Sequence, residues 1–165
     1  MYFKKLAIIF ITLFIFGCKS QNDTAIDESE KASFSHISQA YYEQSLAEIV
    51  SFLNTIDAII KKADFDAWQK HCSEAYLNYY SQPEVLNELS QRPLLKSQNL
   101  KLFTLKDYFF KVFIPSRLEL GNYQIDKLEF INPTRVKVLA LINNTSYLLY
   151  FLEKDDKNNW KITTW

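Results

Sequence analysis

RVKVLALI at Arg135–Ile142, the turn Asn143-Asn144 and YLLYFLE at Tyr147–Glu153 decide the fold. Val136, Val138, Ala140 and Ile142 recur at every second position, which places them on one face of an extended chain and would scatter them around a helix. Asn143-Asn144 suits a tight hairpin turn, because Asn tolerates a left-handed backbone. Tyr147–Glu153 is apolar on both faces. One face meets the helices, and the other needs a cover from a second subunit, a partner or the chain's own N-terminal segment.

The same period extends in both directions. Asp155–Asn159 reads as a turn and Trp160–Trp165 as the last strand. Upstream, Asn132-Pro133 makes a turn and Tyr123–Ile131 a strand. Before Gly121 the period is helical. Tyr42, Leu46, Ile49, Leu53, Ile56 and Ile60 follow three- and four-residue steps, so one long helix runs from about Ile37 to Ala63. Asp64 caps a second helix carrying Phe65, Trp68, Cys72, Tyr76 and Tyr79. Ser81-Gln82-Pro83-Glu84 has capping-box spacing and opens a short helix that ends before Pro93. Residues 94–103 read either as a short hairpin around Ser97-Gln98-Asn99 or as an irregular loop. Thr104 with Asp107 starts a further helix through Leu105, Tyr108, Phe109, Val112 and Phe113, which Pro115 should stop. Helices followed by an antiparallel meander define an α+β class, with helices packed on one face of a curved sheet of four or more strands.

The 165-residue chain carries 19 Lys+Arg against 19 Asp+Glu, which argues against a nucleic-acid binder needing a surplus of cations. Only 2 Gly and 4 Pro exclude collagen-like and low-complexity classes, and no phosphate-loop or dinucleotide fingerprint occurs. The N-terminus has Lys4 and Lys5, an apolar run Leu6–Phe16, then Gly17-Cys18. Such a run is short for a bilayer span, which needs about 20 residues, and has signal-peptide length. Ile15-Phe16-Gly17-Cys18 resembles the lipobox of bacterial lipoprotein signals, with Phe16 departing from the usual small residue. The resemblance implies that residues 1–17 are a signal peptide and that Cys18 becomes an acylated first residue, anchored through two or three chains including a palmitate type. Lys19 in place of Asp points to the outer membrane by analogy with enterobacterial sorting. Removing Lys4 and Lys5 leaves 17 basic against 19 acidic residues, a net charge of −2. Residues 19–33 are polar and read as a tether, giving a lipidated segment at 18–35 and one domain at 36–165.

The order of a long helix, Asp64-Phe65-Asp66-Ala67-Trp68, more helix, and four strands ending in Trp160-Lys161-Ile162 resembles the nuclear-transport-factor-two-like (SnoaL-like, cystatin-like) superfamily. That resemblance implies a curved sheet around a long helix with a pocket in the cone, and it spans isomerases, dehydratases, scaffolds and binding modules. Asp107 and Tyr108 would be the carboxylate base and phenol of such an enzyme, although Asp107 also occupies a capping position. Arg117, with Tyr76, Tyr108 and Tyr147, would line a ligand site, Arg117 taking an anion or pairing with Glu119 or Asp107. His36 sits at the tether boundary. His71 and Cys72 are adjacent on a helical pattern and do not face each other, so Cys72 reads as a core thiol. Ser116 lacks a nucleophile elbow. No metal-ligand spacing occurs, and no metal or cofactor is expected.

These features lead to a lipid-anchored envelope protein with a non-enzymatic binding or interaction module. Its expected partners are the membrane, through Cys18, and a small apolar or amphipathic ligand or a protein. The alternatives are a small-molecule isomerase- or dehydratase-like enzyme and a structural subunit that dimerises through its sheet.

Overall fold

Ser38 opens the first helix by accepting the N–H of Tyr41 on its side-chain oxygen at 3.2 Å. The computed structural model describes residues 37–121 and 123–165. Cys18, the tether and His36 lie outside the described residues. Helix α1 (Gln39–Lys62) buries Ile49, Leu53, Ile56, Ile59 and Ile60 along the expected face. It ends at Ala63, left-handed at φ 51°, whose N–H returns to the carbonyls of Ile59 and Ile60.

The second helix is two helices, α2 (Phe65–Lys70) and α3 (Glu74–Tyr80). Between them the chain leaves helical geometry to pair with the last strand. Ser73 N–H donates to the Ile162 carbonyl and Ile162 N–H to the His71 carbonyl, both at 2.8 Å. Cys72 therefore sits on a parallel bridge to Ile162 and not on a helix. Ser73 caps α3 through Tyr76 N–H, and its hydroxyl also donates to Thr163. The Ser81 capping box does not form: the Ser81 hydroxyl donates back to Leu77, and Gln82 precedes α4 (Pro83–Ser90) without a side-chain cap. Residues 94–103 hold no hairpin. Pro93 starts α5 (Pro93–Ser97), because a first-turn proline loses no helical bond. The first hairpin of the superfamily pattern is thus absent from this segment.

The Thr104–Asp107 capping box is present and starts α6 (Leu105–Tyr108). Pro115 does not stop the helix. A π-turn, Phe109–Phe113, intervenes, and α7 (Ile114–Leu118) continues with Pro115 in its first turn. The widened turn, closed by Ile114 N–H on the Phe109 carbonyl, accommodates the ring and the missing donor.

Strands β1 (Gln124–Asn132), β2 (Arg135–Ile142), β3 (Thr145–Lys154) and β4 (Trp160–Thr163) form an antiparallel meander in that order. The architecture is α+β, as the change of period requires. Asn143 and Asn144 both take positive φ in the β2–β3 turn. A bulge beside Val138 puts Tyr150 opposite Val138 and Leu148 opposite Leu139. Val136, Val138, Ala140, Tyr150 and Leu152 face a core centred on fully buried Trp68, whose ring lies 4.8 Å from Phe109 and 5.1 Å from Phe113. Among the described residues these aromatics fill much of the space between helices and sheet, and clefts open around them.

Candidate functional site

One such cleft opens between α1 and the start of β1. Helix spacing puts Leu46, Val50, Leu53 and Asp57 in one stripe. With Tyr123 and Ile125 they line a cleft of about 590 Å³. An adjoining cleft of about 220 Å³ shares Asp57, Gly121 and Tyr123 and adds Ile60, Lys61, Arg117 and Leu118. Gly121 turns the chain from α7 into β1 at φ 58°, a conformation that favours glycine.

Asp57 and Tyr123 form the shared wall. The Tyr123 hydroxyl donates to the two Asp57 carboxylate oxygens at 3.3 and 3.4 Å. Burial, followed by the Asp57 charge, pushes the Tyr123 phenol above its ordinary range. Arg117 lines the smaller cleft with them. Its guanidinium is 4.3 Å from the Tyr150 ring centroid and 5.5 Å from that of Phe113, within cation–π range of both. Its Nε is buried with no hydrogen-bond partner. Among the described residues no ion pair reaches Arg117, so the expected partners Glu119 and Asp107 do not hold it.

The other sequence candidates go elsewhere. The Asp107 carboxylate accepts from the N–H groups of Phe103 and Thr104 and pairs with Lys111 at 2.6 Å. That Lys111 contact, with the bonds from Phe103 and Thr104, lowers its carboxyl to about 2. Tyr108 is buried, and its hydroxyl bonds that of Tyr76 at 2.8 Å. Carboxylate and phenol are each engaged apart, and no contact joins them among the described residues. Tyr76 and Tyr108 are brought together, with Tyr80 stacked 4.2 Å from Tyr108. Tyr147 is half exposed beside the β2–β3 turn, opposite Ala140. The Ser116 hydroxyl donates to the Phe113 carbonyl at 2.8 Å, and His71 Nδ1 lies 2.9 Å from the Ala67 carbonyl. Cys72 is buried, which raises its thiol pKa. Among the described residues no three His, Cys, Asp or Glu side chains gather to hold a metal.

A second cleft, of about 510 Å³, lies at the β3–β4 end, between Tyr76, Tyr79 and Tyr80 on one side and Leu148, Phe151 and Trp165 on the other. Trp165 packs edge-on against Phe151 at 5.1 Å and so covers part of the outer sheet face.

Sequence reading overlooked Asp57 and Tyr123. They stand 66 residues apart, and no motif joins them. One signal was present: Asp57 is a carboxylate placed directly beside the apolar stripe, four residues from Leu53 and next to Ile56.

Fold and clefts together describe a small α+β domain in which a cleft lined by Asp57, Lys61 and Arg117 adjoins an apolar groove. The chain is 32% identical over 126 residues to a protein of Treponema pallidum (strain Nichols) named as an uncharacterized lipoprotein. The match covers 76% of this chain and 64% of that protein, so the chain spans somewhat under two thirds of its curated relative. No family model matches, and no solved structure matches. No helix among the described residues is long and apolar enough to cross a membrane.

Proposed function

We propose that the protein is a lipid-anchored envelope module that binds a small amphipathic ligand in the cleft between α1 and β1. The observation carrying this reading is Arg117: a guanidinium stacked on Tyr150 with a buried, unpartnered Nε, at one end of an apolar groove. The guanidinium lines the cleft without an ion-pair partner among the described residues, so its N–H groups are available to an acceptor on a ligand. Binding is favoured over catalysis because Asp107 is committed to its own helix start. The Ile15–Cys18 pattern and the name of the Treponema relative support the anchor. Lys19 favours the outer membrane as the site of attachment.

The test is retention. Lipidated protein is purified from its membrane and denatured, and the released small molecules are identified by mass spectrometry, beside Val50→Glu. Val50 is 41% exposed in the groove, so the new charge should fold while spoiling an apolar site. A molecule retained by the native chain and lost from Val50→Glu is expected; nothing retained by either ends the reading. Cys18→Ala should move the protein from the membrane to the soluble fraction, and unchanged partition removes the lipid anchor.

A further inference from the structure

Asp57 and Arg117 carry opposite charges and line the same cleft of about 220 Å³, yet no ion pair joins them among the described residues. Opposite charges in a partly desolvated cleft attract strongly and close to contact unless packing holds them apart. Here each is held on its own helix, Asp57 on α1 and Arg117 on α7. Arg117 is stacked on Tyr150 and Phe113. Asp57 is fixed by the Tyr123 hydroxyl, whose two contacts are long, at 3.3 and 3.4 Å. A carboxylate has about four acceptor sites, so Asp57 keeps capacity for a further donor.

From this pairing we infer that the cleft takes a zwitterion: an α-amino acid, or a similarly small molecule bearing a free amine and a carboxylate. The inference rests on the reading of the cleft as a binding site and names its ligand class. The ammonium would meet Asp57, and the carboxylate would meet the Arg117 fork, with exposed Lys61 adding positive charge at the rim. A lone anion meets Arg117 but is repelled by Asp57, and a lone cation meets the reverse. Only a ligand with both charges satisfies both residues. The small cleft has room for the charged head. The apolar side chain then extends past Tyr123 into the larger groove beside Leu46, Val50 and Leu53.

The test uses the full chain in lipid nanodiscs, with empty nanodiscs as baseline, and calorimetric titration at mildly acidic pH. Four probes share one side chain: phenylalanine, N-acetylphenylalanine, phenylalaninamide and N-acetylphenylalaninamide. Phenylalanine should bind tightest, and loss of either charge should weaken it about ten- to hundredfold. Asp57→Asn should abolish the preference for the free amine and keep that for the carboxylate, and Arg117→Gln should do the opposite. A crossed pattern of this kind cannot come from general loss of structure. Equal binding of all four overturns the zwitterion and leaves the amphipathic site standing. N-acetylphenylalanine matching phenylalanine overturns it through the Asp57 arm. No binding at millimolar concentration also overturns it, while the proposed function is decided separately by the retained molecule and Val50→Glu.

Discussion

Asp107 and Asp57 show how surroundings choose between two uses of one side chain. Asp107 sits at the third position of a helix and receives two backbone N–H groups, a hydroxyl and an ammonium. Those donors favour the charged form, which is why its carboxyl falls to about 2. A lowered pKa means that the contribution to stability is fully present above the unfolded value of about 3.9 and is lost as pH falls towards 2. Asp107→Asn should cost about 1 kcal/mol at neutral pH, the usual worth of a cap, and should flatten the acid limb of the stability profile. Urea melts at pH 7 and pH 3 check this. An unchanged acid limb would show that the capping carboxylate does not govern it. Asp57 differs in having a single donor, the Tyr123 hydroxyl, at two long contacts, and a cleft before it. Its pairing with Tyr123 is hidden in the sequence because Tyr123 comes from a distant segment, whereas the Asp107 cap is written within four residues.

At the scale of elements, Ser73 and Ser81 look alike in sequence, each followed at the third position by a helical residue. The structure gives them different work. Ser73 caps α3 and bonds Thr163, while Ser81 closes the helix before it. Ser73→Ala should cost about 1–2 kcal/mol, and Ser81→Ala should stay within about 0.5 kcal/mol of the parent chain. Equal effects in thermal melts would mean that the break at residues 71–73 is not a capping boundary. That break also marks where local reading stops. The face of α1, the four strands and the Asn143-Asn144 turn are local patterns of period and turn chemistry, and they form as read. The α2–α3 break depends on Ile162, and the Pro115 passage depends on a π-turn that packs Phe109 and Phe113 against Trp68. Neither partner is near enough in sequence to leave a local mark.

Over the whole molecule, 13 Phe, 10 Tyr and 3 Trp are a large aromatic load for 165 residues. Most of that load in the interior fills space and does not line a pocket, which leaves phenols inside the packing. Burial, their first cause, pushes the hydroxyls of Tyr76, Tyr108 and Tyr150 well above the ordinary phenol range, and Tyr123 rises with Asp57 beside it. A phenol is neutral when protonated, so the folded state holds these protons longer than the unfolded chain does. Stability from them is complete below the unfolded value of about 10 and falls as pH rises beyond it. Each such group adds a slope of about 1.4 kcal/mol per pH unit once the unfolded phenol is ionised. The urea midpoint should therefore drop steeply above about pH 10, and part of the phenolate absorbance should develop only as the near-ultraviolet dichroism is lost. Tyr108→Phe keeps the ring and removes one proton, at the cost of leaving the Tyr76 hydroxyl without its partner. That variant should be less stable at pH 8 but lose stability less steeply above pH 10. The two effects have opposite signs, so a merely damaged core, which would lower stability at every pH and leave the slope alone, is told apart from a buried phenol by the crossing of the two curves.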